Sequence, residues 1–156
     1  MDIDFEWLET HIFHRKLNSE EQDAISVATT VVEFNKGDAL ITEGERSDAL
    51  YLLNSGRATV LHHSHSQQVI VGEAVEGAQL GDMAIFDDQP YSTTIMARST
   101  CLVYKIPKQE LHALMAEHHE MAKDVMMNTI RRLAGIVRSM NSVNAYSQQY
   151  MHGRSR

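Results

Sequence analysis

The sequence predicts an α+β domain in which short helices precede a closed antiparallel β-structure and further helices follow it. Three observations carry this. Apolar residues recur at helical spacing up to about residue 28, the period drops to two between about Thr29 and Ile106, and helical spacing returns after Pro107. The 156 residues are 43% hydrophobic and 22% charged, the size and composition of one globular domain with its own core. Residues 1–145 form that domain, divided into N-terminal helices (1–28), β-structure (29–106) and C-terminal helices (107–145), and residues 146–156 are read as a flexible tail.

Trp7, Leu8, Ile12 and Phe13 lie on one helical face, and Ser19 with Gln22 reads as a capping box opening a second short helix. Six β-branched-rich runs follow: Thr30–Phe34, Asp48–Leu53, Arg57–Leu61, Gln68–Val71, Ser92–Ala97 and Thr100–Ile106. Gly37, Gly44, Gly56, Gly72 and Gly77 punctuate them, with turn signals at Asn35–Asp38 and Asn54–Gly56. Short strands at such regular spacing indicate a sandwich or roll. Pro107 ends the β pattern and suits the first turn of a helix whose apolar face is Leu111, Leu114 and Met115. A long helix is expected from about Met121 to Ala145. In it Met126, Thr129, Leu133, Ile136, Met140 and Val143 follow steps of three and four, the spacing of a coiled-coil seam.

The net charge of −7 is unevenly distributed. Residues 1–97 hold five Lys/Arg against seventeen Asp/Glu, and residues 98–156 hold nine against four. An acidic body repels a phosphate backbone, and Arg131, Arg132, Arg138, Arg154 and Arg156 are spaced as a solvated helix face, so no direct DNA binding is expected. Apolar runs are far shorter than the roughly 20 residues of a membrane helix, and the acidic start is unlike a secretory signal. The expectation is a cytoplasmic protein without membrane contact. Cys101, alone in a strand, reads as a core filler. His62, His63 and His65 fall at a hairpin tip. A cupin-like metal site would want a glutamate about four residues on, and the next is Glu73, so an exposed polar turn is the reading, with no metal. His112, His118 and His119 read as surface. No nucleophile elbow, P-loop or paired-carboxylate spacing appears, so no catalytic residue is assigned and the chain is not read as an enzyme.

The stretch Lys36–Glu45, followed by Asp48–Tyr51 and Asn54–Gly56, resembles the front half of the cyclic-nucleotide-binding domain family. Leu80-Gly81-Asp82-Met83-Ala84-Ile85, a four-residue spacer and Pro90-Tyr91-Ser92-Thr93-Thr94 resemble that family's phosphate-binding cassette, usually Phe-Gly-Glu-Leu-Ala-Leu, four residues and Pro-Arg-Ala-Ala-Thr. The resemblance covers about residues 5–145 and implies an eight-stranded antiparallel β-roll of jelly-roll type with a long C-terminal helix. It implies ligand contacts at Gly81, Asp82, Met83, Ala84, Tyr91, Ser92 and Thr93, with cAMP or cGMP as the ligand. No certain cofactor follows.

Two departures bear on that implication. Asp82 stands for the glutamate that holds the ribose 2′-hydroxyl and is one methylene shorter. Tyr91 stands for the arginine that neutralises the cyclic phosphate, replacing a positive fork by a neutral hydroxyl. Asp87 and Asp88 add negative charge in the spacer; Arg57 and Arg98 are the candidate substitute cations, and Ile136-Val137 fall about where the family's adenine contacts lie. The family also pairs its long helix in parallel dimers, so a homodimer through the seam is expected. About a dozen residues follow Val143, too few for the helix-turn-helix module of its transcription factors. The reading is a stand-alone regulatory module that acts on an unidentified protein partner, its cyclic-nucleotide binding weakened or lost. The alternatives are a working cAMP/cGMP receptor with an unusual cassette and, remotely, a cupin-like metal enzyme.

Overall fold

The computed structural model describes residues 2–152, with side chains over residues 2–143. The element order is α1 (Phe5–Leu8), a π-helical turn (Glu9–Phe13), α2 (Ser19–Ala28), β1 (Thr30–Phe34), β2 (Ala39–Ile41), β3 (Ala49–Ser55), β4 (Ala58–Ser64), β5 (Gln67–Ala74), β6 (Gln79–Leu80), α3 (Asp82–Phe86), β7 (Thr94–Ala97), β8 (Cys101–Pro107), α4 (Lys108–Glu117) and α5 (His119–His152). The strands form two four-stranded antiparallel sheets, ordered β1-β8-β3-β6 and β2-β7-β4-β5. This is the eight-stranded roll with a long C-terminal helix.

Two cores explain the strand sequences. Ala49, Tyr51 and Leu53 of β3 and Cys101 and Val103 of β8 point into the roll, among Leu40, Ile41, Leu80 and Ile95. Leu50 and Leu52 of β3 and Tyr104 and Ile106 of β8 point the other way, onto Trp7, Leu8, Ile12, Leu111, Met121 and Val125. Both strands are therefore apolar on both faces, which a half-solvated sheet would not be. Their pairing sets Leu50 opposite Ile106 and Leu52 opposite Tyr104. The Trp7 indole donates to Glu76 at 2.8 Å and stacks on His11, which fastens the N-terminal segment to the turn before β6.

Several boundaries differ from the expected ones. The capping box is one residue earlier: Asn18 Oδ1 accepts from the Glu21 amide at 2.8 Å and Glu21 accepts from the Asn18 amide at 3.1 Å. Glu21 is chosen because Arg15 also holds its carboxylate (2.6 Å), keeping it well below the ordinary glutamate range. Pro107 (φ −55°, ψ 145°) ends β8 and caps α4, which starts at Lys108. The strands β2 and β6, of three and two residues, are too short to show a period. Helix α5 continues to His152, where a tail was expected from residue 146, and residues 153–156 lie outside the described ones. At the β4–β5 tip, His65 and Ser66 both have positive φ (48° and 68°), as a two-residue hairpin turn requires. No helix is long and apolar enough to cross a membrane, among the described residues.

The glycine corners are not equivalent. Gly44 has φ 83° with open space where a Cβ would stand, whereas at Gly56 (φ 96°) a Cβ would lie 2.4 Å from the Thr100 carbonyl and 2.9 Å from Cys101 Sγ. Gly44→Ala should cost about 1 kcal/mol, from backbone conformation alone. Gly56→Ala adds a backbone clash and should cost more than about 3 kcal/mol. Urea unfolding of the two variants checks this; equal losses would contradict it.

Candidate functional site

Gly81 turns the chain from β6 into α3 with φ 80°, and a Cβ there would come within 3.1 Å of both the Ala49 carbonyl and the Tyr91 ring. This turn forms one wall of a cavity of 550 Å³ between the roll and α5. All seven cassette residues, Gly81, Asp82, Met83, Ala84, Tyr91, Ser92 and Thr93, line it. The rest of the wall is mainly apolar, from Ile41, Val60, Val71, Leu80 and Ile95, and Arg132 and Ile136 of α5 border it. Its volume falls within the range of small-molecule pockets, roughly 300–1,000 Å³.

The two departures from the cassette pattern take definite positions. Tyr91 is 5% exposed, and its hydroxyl turns to the start of β3. It donates to Asp48 Oδ1 (2.7 Å), with the Ala49 carbonyl a second acceptor at 2.9 Å, and accepts from the amides of Asp48 (3.1 Å) and Ala49 (3.2 Å). Asp48 and Ala49 lie outside the cavity lining. The Tyr91 backbone is tied to the same loop, by its amide to Glu45 O (2.9 Å) and by its carbonyl from Gly44 N (2.8 Å). The hydroxyl is thus engaged within the protein.

Asp82 is 1% exposed and is engaged likewise, by Arg132, Thr129 and Gln79. Arg132 is therefore not a free solvated cation, although its side chain is partly exposed. It is the one Lys or Arg in the cavity lining among the described residues, and it already pairs with Asp82. Glu73 adds a second carboxylate to that lining. Neither expected substitute cation lines the cavity: Arg57 pairs with Glu73 on the surface at 3.8 Å, and Arg98 stands outside. The acidic spacer also lies elsewhere. Asp88 is held by Lys108 at 2.6 Å, which keeps its carboxyl below the usual range, and borders a different groove.

The expected seam divides. Met126, Leu133, Ile136, Met140 and Val143 are exposed, but Thr129 is buried against the cassette and leaves the seam. Ile130 and Val137, which the three-four spacing passed over, are exposed. The outer stripe is thus Met126, Ile130, Leu133, Val137 and Met140, while Ile136 faces the cavity mouth. The local motif does not point to Arg132 or Gln79; Thr129 and Arg132 share a helix face by their i, i+3 spacing, which identifies them only once the inner face of α5 is known. At the hairpin, His62 Nδ1 meets Glu43 Oε1 at 2.5 Å, and no group of three or more His, Cys, Asp or Glu is arranged to hold a metal, among the described residues.

Burial pushes the Tyr91 phenol up to about 12, with Asp48 adding to the shift. A raised folded-state pKa gives stability that is whole below the unfolded value near 10 and is lost as pH rises from there to about 12. Tyr51 is shifted the same way by burial. Tyr91→Phe should cost about 1–3 kcal/mol at neutral pH, since two amides and a carboxylate lose their partner. It should also flatten part of the decline in melting temperature between pH 10 and 12. An unchanged alkaline decline would contradict this account of the hydroxyl.

Comparison with known proteins agrees with this fold. Residues 31–118 match the family model of the cyclic nucleotide-binding domain. A cGMP-dependent protein kinase of Eimeria tenella is 27% identical over 121 residues, 77% of this chain but 12% of that protein. The catabolite activator protein of Thermus thermophilus superimposes with a TM-score of 0.72 at 20% identity, covering 82% of this chain and 61% of that one. The regulatory subunit of a cAMP-independent protein kinase A from Trypanosoma cruzi, bound to guanosine, gives 0.69 at 19% identity, covering 84% and 44%. With the roll, the cassette turn and the long helix in place, and with more than half its length matching the family model, the chain belongs to the cyclic nucleotide-binding domain family.

Proposed function

We propose that this domain is a non-enzymatic regulatory module whose affinity for cAMP and cGMP is weakened or lost, and whose output is a protein contact made through α5. The observation that carries this is the charge of the cavity. Its one Lys or Arg among the described residues is already paired, two carboxylates line it, and the tyrosine in the phosphate-arginine position has its hydroxyl engaged. A cyclic phosphate would enter without a counter-charge, which costs a few kcal/mol, or roughly 10²-fold in affinity.

The cavity nevertheless persists, and its apolar walls favour a ligand less anionic than a cyclic nucleotide. The Trypanosoma cruzi relative is bound to guanosine, a nucleoside without phosphate. An uncharged nucleoside is therefore the ligand class we favour if the cavity is used. Assembly is proposed to be a homodimer. The outer stripe of α5 repeats at steps of four and three from Met126 to Met140, and its first turns continue into a groove of 710 Å³ beside Phe86 and Met115. The cytoplasm remains the expected location.

Calorimetric titration of the full chain with cAMP, cGMP and guanosine tests the ligand reading. No micromolar binding of either cyclic nucleotide is expected, and Tyr91→Arg should strengthen their binding by about 10²-fold. Micromolar binding by the unaltered protein, or no gain in the variant, would overturn it. Light scattering should give about 35 kDa, twice the 17.6 kDa chain, falling to the monomer mass in Leu133→Asp/Val137→Asp. A monomer at micromolar concentration would end the dimer reading.

A further inference from the structure

Helix α5 is anchored in two different ways along its length. Met121 and Val125 bury apolar surface against the N-terminal helices and the roll. Beyond Val125 the side facing the cassette is polar: Thr129, then Arg132, before Ile136 at the cavity mouth. Both polar residues meet at Asp82. Arg132 Nη2 and the Met83 amide (3.0 Å) donate to Oδ1, and Gln79 Nε2 (2.8 Å) and Thr129 Oγ1 (2.5 Å) donate to Oδ2. A carboxylate has about four lone-pair sites, so this one is full. Arg132 Nη1 also donates to the Gln79 carbonyl at 2.6 Å, and the Gln79 amide reaches the Val125 carbonyl at 3.2 Å. One turn earlier, Asn128 donates to the Ile12 carbonyl at 2.9 Å and Asp124 accepts from Arg15 at 2.8 Å.

We infer that Asp82 is a built-in latch: its carboxylate, filled by four donors of the protein itself, holds α5 against the roll and thereby presents the outer stripe with no ligand group needed to complete the contact. A ligand hydroxyl that seeks Asp82 must displace one of its four donors. An anion that seeks Arg132 leaves a buried carboxylate without its cation, an unfavourable state. Either ligand therefore loosens α5 rather than tightening it. The Arg132 side chain is partly exposed and can swing to water, whereas the buried Asp82 cannot, so Arg132 is the moving part and Asp82 the fixed one. This goes beyond the function proposed above and rests on it only for the role of the outer stripe; the latch concerns what holds the helix to the roll.

Hydrogen exchange of the full chain, read by mass spectrometry over residues 79–83 and 125–136, tests the latch. Without ligand the wild-type amides there should exchange slowly, and millimolar cAMP should not slow them further. Arg132→Ala should speed both segments by about tenfold or more and leave the β3 and β8 amides unchanged. Arg132 is partly exposed, so this variant does not depend on refilling a core, and Asp82→Asn should reproduce it where it folds. Two results would each overturn the latch: exchange in Arg132→Ala no faster than in the wild type, or slowing by cAMP. Calorimetric binding of cAMP with no slowing of α5 would overturn the proposed ligand loss while supporting the latch. Absence of binding with fast α5 exchange would overturn the latch alone.

Discussion

A carboxylate removed from water has to be satisfied from within the protein, and Asp82 is satisfied by three separate parts of the chain. Gln79 comes from β6, Met83 from the first turn of α3, and Thr129 and Arg132 from α5, some fifty residues later. Those donors tie α5 to the cassette. On the same helix Asn128 donates to the Ile12 carbonyl and Asp124 accepts from Arg15, so the N-terminal segment is tied to it as well. Met126, Ile130 and Leu133 of that helix are exposed. One buried charge thus relates the cassette, the N-terminal helices and the surface proposed for assembly.

The fold was largely legible because its signals are local. β-Branched runs between glycine corners, and a proline where strand gives way to helix, follow from backbone stereochemistry that each residue carries by itself. The cassette residues were picked out by the family resemblance rather than by any local rule, and the structure sets Gly81, at positive φ, and Tyr91 on one cavity. The partners of Asp82 were not legible. Arg132 in a row of arginines looks like a solvated face, and Thr129 among apolar residues looks like a weak seam position. Each is identified only by a carboxylate far away in sequence. The same holds for Arg57 and Arg98, whose charge could be counted but not located. The capping box missed by one residue because Asn18 and Ser19 are both good caps, and the choice fell to Arg15, whose hold on Glu21 lies outside any capping pattern.

At Tyr91, which the resemblance aligns with the cassette arginine, the side chain is engaged by the fold itself. An arginine there would carry a charge into a cavity that leaves it exposed to solvent or paired with a ligand. The tyrosine instead closes the start of β3, a strand shared by both cores, by accepting from the Asp48 and Ala49 amides and donating to the Asp48 carboxylate. The body, whose first 97 residues are strongly acidic, has no cation at this position, and a carboxylate on the neighbouring loop is part of the structure instead. An anion entering the cavity would then meet Glu73 and Asp82, whose cations, Arg57 outside the lining and Arg132 within it, are already engaged. Restoring the cation by substitution alone also frees Asp48, so the restored arginine has a competitor for its charge at the first residue before β3. The affinity recovered by Tyr91→Arg therefore measures the phosphate interaction less the Asp48 interaction. Removing Asp48 in the same variant separates the two contributions, because only the competitor is lost and the cassette turn at Gly81 is left as it stands.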